Sequence, residues 1–311
     1  MTGYDFLIKV IRCITNFLGS PAGYDLWRGR LAVNKLFSLY QRLREKNSVF
    51  YLAIYKCKWF ESLLYRFYIS RYTNRNIANM NQLYRIMADQ QSKDILKSLA
   101  DTRKKWFIQT EYIKSNGEQY FCLEEFGVKP GEDEVFIDGG AYIGDTLQHF
   151  IDFVNGKYKH LYCFEPDESN YMKLKELVES NQYKNISLYP KGLWRDCSVL
   201  NFAGNQAYCS SIIDTGASTV ETVSLDAVIP REEVVSFIKM DIEGSELAAL
   251  EGASRIIEQD RPKLAISIYH KPEDLWEIPL YLHRNYPFYR FYLRHHSKDS
   301  CETVLYAISG K

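Results

Sequence analysis

Little in this chain ties it to a membrane, a structural metal or a nucleic acid. Its 311 residues contain no uninterrupted apolar run of the about 18 residues that a membrane-spanning helix needs. The run Phe6-Leu-Ile-Lys-Val-Ile11 is too short and too interrupted for the apolar region of a secretory signal. Net charge is absent too: Lys plus Arg and Asp plus Glu both total 39, so a globally basic nucleic-acid binder is not indicated, although local patches remain open. The seven cysteines are dispersed, with no C-x-x-C pair and no histidine partners at zinc spacing. An odd, scattered set predicts reduced thiols and a cytoplasmic protein, and argues against zinc. Internal repeats and low-complexity tracts are missing as well. What remains is enough length for one large domain, or a domain with an extension.

Residues 1–118 read as a helical, basic N-terminal extension, and 119–311 as an α/β domain. In the extension, Leu31-Ala-Val-Asn-Lys-Leu-Phe-Ser-Leu-Tyr-Gln-Arg-Leu places apolar residues at helical spacing. Phe50 to Ser70 is dense in aromatics interleaved with Lys and Arg. Such a helix packs on a neighbouring domain, serves as a platform for a glycan or lipid-linked acceptor, or forms a dimer surface; a basic amphipathic face also suits peripheral contact with an anionic membrane. Gln91-Ser-Lys-Asp-Ile-Leu-Lys-Ser-Leu-Ala-Asp-Thr-Arg is a further amphipathic helix, and Gly127-Val-Lys-Pro-Gly-Glu-Asp133 is a turn-rich linker.

Beyond it, strands and helices alternate at βαβ spacing. Strands are predicted over 134–138, 160–165, 185–190, 235–240, 263–269, 287–294 and 302–308, with helices over 144–155, 168–181, 245–259 and 273–285. The last two strands are joined only by Arg294-His-His-Ser-Lys-Asp-Ser-Cys301, too short for a helical crossover, so they should pair antiparallel. This pattern predicts a doubly wound, mostly parallel sheet ending in an antiparallel hairpin, with ligands at the carboxyl ends of the parallel strands.

Three segments fall at those ends. Val135-Phe-Ile-Asp-Gly-Gly-Ala-Tyr-Ile-Gly-Asp-Thr146 reads as a buried strand, a tight turn and a helix start. It sets helix N-terminal amides and a carboxylate beside one cleft, which suits a cofactor carrying an adenosine and a charged group. A dinucleotide fingerprint starting at Gly139 needs glycine where Ala141 stands, whereas an acid-x-Gly-x-Gly-x-Gly loop fits Asp138, Gly140 and Gly144, with Tyr142 in place of the middle glycine. Leu161-Tyr-Cys-Phe-Glu-Pro166 then ends in Glu165, near the offset of about 20 residues at which an acid meets a ribose diol. The third segment, Phe237 to Ala253, runs from a strand through Asp241-Ile-Glu-Gly-Ser-Glu246 into a helix.

In this order and at this spacing the three segments resemble the FkbM-type S-adenosylmethionine (SAM)-dependent methyltransferases. The run Ala265-Ile-Ser-Ile-Tyr-His-Lys-Pro-Glu-Asp274 is similar to the family as well, and Ala88-Asp-Gln-Gln-Ser-Lys93 more weakly so. The resemblance covers roughly residues 119–307. It implies an α/β, Rossmann-like class I methyltransferase sheet carrying the N-terminal helical extension, SAM as cofactor, and O-methylation of a hydroxyl on a sugar, glycan or polyketide. Many members serve surface-polysaccharide or natural-product biosynthesis, so the expected partner is a hydroxyl-bearing acceptor and not a nucleic acid.

Each residue can then be given an expected role. Gly139, Gly140 and Ala141 let the backbone approach the cofactor. Asp138 would attract the amino group of SAM, directly or through water, and Glu165 would take the ribose. Tyr142 is costly if its position needs positive φ, and its ring is a candidate wall. Gly144 opens the helix, while Asp145 and Thr146 either favour its N-terminus or touch SAM. Leu193 and Trp194, in Lys191-Gly-Leu-Trp194, would wall the adenine or simply fill the core. Ser210 and Ser211 match a family stretch, but a turn explains them equally well. Asp241, Glu243 and His270 end neighbouring strands and can converge; His270 is the expected base, with Asp241 or Glu243 orienting it or the acceptor. The same trio could hold a divalent ion, yet no compact ligand motif supports one, and no metal is expected. Lys271, Arg290, Arg294, His295 and His296 would form either a basic rim for an acidic acceptor or a solvated surface. The other enzyme class that fits a glycine loop is an NAD-dependent oxidoreductase, against which Ala141 and the terminal hairpin argue. A non-enzymatic alternative is an inactive domain that binds a glycan or partner through its aromatic N-terminus.

Overall fold

A computed structural model describes residues 69–70, 72–104, 112–202 and 218–310. All lie in one compact unit, Arg66–Lys311, so the expected boundary at 118/119 falls inside it. The predicted helix over 31–43, nearly all of the aromatic stretch 50–70, and Ser210 and Ser211 lie outside the described residues. Among the described residues no helix is long and apolar enough to cross a membrane.

The strands are β1 (Val135–Gly139), β2 (His160–Phe164), β3 (Ile186–Tyr189), β4 (Gly192–Leu193), β5 (Ser198–Phe202), β6 (Ser218–Val223), β7 (Phe237–Met240), β8 (Lys263–Ser267), β9 (Tyr289–His295) and β10 (Thr303–Ser309). The helices are α1 (Ile77–Ile86), α2 (Gln90–Lys104), α3 (Asp145–Phe153), α4 (Glu168–Ser180), α5 (Leu225–Val228), α6 (Glu246–Glu251), α7 (Ser254–Asp260) and α8 (Asp274–Asn285), with a 3-10 turn at Cys122–Phe126. Seven strands form the main sheet in the order β3-β2-β1-β7-β8-β10-β9. The first five are mutually parallel, while β10 runs antiparallel to both β8 and β9. This is the predicted mostly parallel sheet with its terminal antiparallel hairpin.

The central strands are apolar along their length because both faces of the sheet are covered. Side chains alternate between two cores. Phe136 joins Phe121, Phe150 and Phe237 on one side, while Ile137 joins Ile238, Leu264 and Ile266 on the other. Phe136 stacks on Phe150 with ring centroids 4.2 Å apart, which seats α3 directly over β1.

The single helix predicted over 245–259 is two helices. Asp226 reaches across to accept hydrogen bonds from the backbone N–H groups of Arg255 (2.7 Å) and Ile256 (3.1 Å), so its carboxylate caps α7 from outside. Gly252 lies at the break, where an added Cβ would stand 2.3 Å from the Trp194 carbonyl oxygen. The small sheet β4-β6-β5 was not predicted; its strands are short and polar, with no apolar run to mark them.

The segment before the domain closes the open edge at β9. Met87 bridges to Phe291, the Ala88 N–H donates to the Phe291 carbonyl (2.8 Å), and the Leu293 N–H donates to Ser92 Oγ (2.8 Å). Arg294 anchors this junction through Asp89 (2.8 Å) and Glu125 (2.7 Å). A covered edge offers no template for pairing with another chain.

Candidate active site

The turn after β1 is held by the end of β2. The N–H groups of Gly140 and Ala141 both donate to the Phe164 carbonyl at 3.0 Å. Three residues of the turn take positive φ: Gly140 (+76°), Tyr142 (+47°) and Gly144 (+94°). Gly140 has no alternative, since a Cβ there would sit 1.9 Å from the Asp241 carbonyl oxygen. At Gly144 a Cβ would meet Leu177 at 2.4 Å, so this glycine lets α3 approach α4. Tyr142 carries the cost of the left-handed conformation and presents an exposed ring. Its N–H donates to Glu165 Oε2 (2.9 Å), and Glu165 Oε1 accepts from the Asp167 N–H (2.9 Å). Burial pushes the Glu165 carboxyl above the ordinary range, against the pull of these two amides.

The turn opens onto a cavity of about 550 Å³. One side is formed by Gly140, Tyr142, Phe164, Glu165 and Leu193, with Asp145 and Thr146 from the start of α3. The opposite side is formed by Tyr120, Asp241, Glu243 and Glu302. Gly139 and the buried Ala141 stand behind the turn. The structure therefore gathers Gly140, Tyr142, Glu165, Leu193, Asp241 and Glu243 around one space. Trp194 is not among the lining residues; the Arg195 guanidinium lies over its ring at 5.4 Å.

Asp138 does not reach the cavity. It is fully buried, and Lys239 Nζ, itself 2% exposed, pairs with its Oδ1 at 2.9 Å. The same ammonium donates to the carbonyls of Gly139 (3.1 Å) and Gly140 (2.8 Å), which uses all three of its protons. Burial works against the Lys239 charge, but the Asp138 and Asp241 carboxylates outweigh it and raise its pKa. Sequence reasoning left Lys239 without a role; here it clamps the turn from behind.

Asp241 is the hub of the second half. It accepts from the Tyr120 hydroxyl (2.7 Å) and the Tyr269 hydroxyl (3.2 Å), and His270 Nε2 stands 3.2 Å away. Burial disfavours its ionised form, yet His270, Lys239 and Tyr120 hold the carboxyl far below the usual range. His270 lies behind Asp241 and does not line the cavity. Its Nδ1 is 2.9 Å from Glu246 Oε1, and its Nε2 also comes within 3.7 Å of Glu243. Burial alone would drive the imidazole neutral, but Glu246 and Asp241 raise its pKa to about 11. An imidazolium has no lone pair with which to take a proton. Asp241, Glu246 and His270 bring three ligand-type atoms within 4.8 Å of one another. The ring turns a different nitrogen toward each carboxylate, the arrangement of a protonated imidazole between two acids.

Glu243 sits at φ +57° in the tight turn after β7. That turn is fixed by Glu246 Oε1, which accepts from the N–H groups of Ile242 (2.9 Å) and Gly244 (3.2 Å), and by Lys271 Nζ, which donates to the Gly244 carbonyl. Burial raises the Glu243 carboxyl, although half of its side chain remains open. The residues expected to form either a basic rim or a solvated surface divide: Lys271 and Arg290 are exposed, and others are held inside. Arg294 is buried between acids, His295 is buried beside Thr303, and Lys271 is committed to the Gly244 turn. Tyr120, Gln119, Tyr269, Glu246 and Glu302 were not assigned roles in the site from sequence. Only Tyr269 and Glu246 carried a usable signal, each lying inside a segment already singled out.

The methyltransferase FkbM domain model matches residues 138–297. The FkbM methyltransferase from Methylobacillus flagellatus KT is similar at 28% identity and a TM-score of 0.61, covering 75% of this chain and 59% of that one. This chain thus spans less than two thirds of that relative. An rRNA methylase from Streptococcus thermophilus aligns at 16% identity and a TM-score of 0.37, over 57% of this chain and 87% of that one. A SAM-dependent methyltransferase from Aquifex aeolicus aligns at 21% identity and a TM-score of 0.36, over 60% and 86%. No curated protein matches the chain. With the family model covering just over half of its residues, the chain belongs to the FkbM family of methyltransferases.

Proposed function

We propose that the chain transfers a methyl group from SAM to a hydroxyl of a saccharide or glycan-linked acceptor, as in surface-polysaccharide or natural-product biosynthesis. The observation that carries this reading is one cavity with two chemically distinct halves. The glycine turn and Glu165 line one, and a carboxylate set around Asp241 lines the other.

Bound SAM supplies an electrophilic methyl group on a positively charged sulfur. The remaining tasks fall to the chain. Glu165 has lone pairs left beyond its two amide contacts, and these suit a ribose diol. Gly140 leaves the backbone bare, Leu193 and Phe164 offer apolar surface to an adenine, and the Tyr142 ring stands at the mouth. Asp138 acts at one remove, by holding the Lys239 ammonium that fixes the turn. Leu193 makes the adenine wall, while the Trp194 ring, under the Arg195 guanidinium, stays out of the cavity lining.

In-line displacement requires the acceptor oxygen to be aligned with the methyl carbon and sulfur. As the new carbon–oxygen bond forms and the carbon–sulfur bond breaks, the hydroxyl proton must leave. A charged His270 serves this step indirectly, by fixing Asp241 and Glu246. Glu243 is the proton acceptor in this reading, because its carboxylate lines the cavity and is not saturated by donors.

Calorimetric titration with SAM and S-adenosylhomocysteine, with NAD as control, tests the cofactor half. Both sulfur ligands should bind, more weakly in Glu165→Ala. Transfer of a 13C-methyl group to acceptors, read from the methyl shift by NMR, separates O- from N-methylation. Folded protein that binds NAD and neither sulfur ligand sinks the reading.

A further inference from the structure

The proposed reaction leaves open which acceptors the second half of the cavity admits, and its charges bear on that. Among the described residues, six carboxylates line the cavity against two ammonium groups. Neither ammonium is free. Lys239 is spent on Asp138 and two carbonyls, and Lys191 pairs with Glu221 at 3.1 Å. The His270 charge lies behind Asp241, outside the lining. SAM carries a sulfonium and an ammonium against one carboxylate, so it offsets only part of this excess.

Glu302 is the lining acid that neither the cofactor turn nor the Asp241 hub explains. It enters from the hairpin between β9 and β10, at φ +63°, just before Thr303 opens β10. Gln119 Nε2 donates to its Oε2, so the carboxylate is held by a second lining residue. The adjacent Tyr120 is committed to Asp241 and lies with its ring 5.3 Å from Lys239 Nζ. The sheet order places β10 beyond β7 and β8, on the side away from β2 and its ribose-type acid Glu165. Glu302 therefore stands on the acceptor side.

Resting on the methyl-transfer reading above, we propose that Glu302, held by Gln119, is an acceptor-binding residue, and that the site selects acceptors that are neutral or carry an ammonium group over those bearing phosphate or carboxylate. A carboxylate wall accepts hydrogen bonds from sugar hydroxyls and pairs with an amino sugar. An anion entering the same space meets repulsion with no unpaired cation among the described lining residues to offset it.

The test uses the full chain, labelled SAM and matched monosaccharides: glucose, glucosamine, glucuronic acid and glucose 6-phosphate. The wild type should methylate the first two with kcat/KM about tenfold or more above the two anionic members. Glu302→Gln should lower kcat/KM for glucosamine about fivefold more than for glucose, mostly through KM, while S-adenosylhomocysteine affinity stays within about twofold. Gln119→Leu should do the same in part, which guards against a folding defect in one variant. An anionic acceptor preferred or accepted equally by the wild type, methylation of none of the four, or an unchanged glucosamine-to-glucose ratio in both folded variants overturns the assignment. Loss of S-adenosylhomocysteine binding by the wild type would instead sink the methyl-transfer reading beneath it.

Discussion

Replacing Lys239 with methionine separates a structural clamp from a cofactor contact. Methionine keeps much of the length and apolar stem but removes the ammonium, leaving Asp138, which is fully buried, without its cation. Breaking one side of a buried ion pair costs about 3–5 kcal/mol. The Gly140 carbonyl also loses its 2.8 Å donor, which adds about 1 kcal/mol. The Gly139 carbonyl keeps the Asp241 N–H at 3.0 Å and adds little. The sum, about 4–6 kcal/mol, is a large share of the roughly 5–15 kcal/mol typical of a folded domain. Urea unfolding at neutral pH, followed by circular dichroism, should show a lower midpoint with an unchanged slope. The double variant Asp138→Leu/Lys239→Met removes both charges and should recover about 2 kcal/mol or more relative to Lys239→Met alone. The linkage has a definite sign as well. Because the folded pKa of Lys239 is raised, its stabilisation is whole below the ordinary value of 10.5 and is lost as pH rises through the folded value. A single-variant loss below about 1 kcal/mol, or a double variant no more stable than the single, would refute the clamp.

His270, with its pKa raised from 6.5 to about 11, should still show two protonated ring nitrogens by 15N NMR at pH 8. Its stabilisation is full below 6.5 and drains away toward about 11, so His270→Gln should flatten the stability profile across that window. Glu243→Gln should cut kcat by about 10²–10³ and abolish an acid limb of the rate profile that lies above the ordinary 4.5, because the wild-type base is lost as pH falls through its raised pKa. Tyr142→Gly relieves the φ of +47°, so stability should hold or rise by up to about 1 kcal/mol while S-adenosylhomocysteine binding weakens about tenfold if the ring walls the cofactor. Arg294→Met leaves Asp89 and Glu125 facing each other at a junction Arg294 now fills, and should cost about 3 kcal/mol in thermal or urea unfolding.

The parallel core was legible because its strands are buried on both faces and so appear as apolar runs ending in acids. Every predicted strand of the main sheet lies within two residues of the observed one at each end. The antiparallel hairpin followed from connection length alone. What escaped was structure set by long-range polar contacts. The break between α6 and α7 depends on Asp226, nearly thirty residues upstream of the amides it caps. The strands of the sheet β4-β6-β5 are short and follow neither a sustained apolar run nor a strict alternation, so periodicity does not mark them. Asp89 and Ser92, within the stretch Ala88 to Lys93, bind Arg294 from far along the chain, a pairing that spacing alone does not mark.

The site was legible in position and less so in chemistry, for one physical reason. Strand-end topology says which residues converge; protonation depends on every other group that converges with them. Asp241 was expected beside His270, and the 3.2 Å contact is there. Tyr120 and Glu246 reach the same pair from elsewhere in the chain and change what it can do. Glu246 accepts two backbone amides and stands 2.9 Å from His270 Nδ1, and together with Asp241 it raises the pKa of the ring to about 11. That cation, the two tyrosine hydroxyls and the nearby Lys239 stabilise the Asp241 carboxylate so strongly that it is a poor proton acceptor. A strand-end histidine next to an aspartate therefore becomes a fixed positive charge, and the ability to accept a proton passes to the acids with fewer donors. Glu243, half open and raised by burial, is the nearest of these to the hub. If Glu243→Gln retains the wild-type pH profile and rate, the base must be sought at Glu302 on the opposite hairpin or in solvent, and the acceptor must lie closer to β10 than to β7.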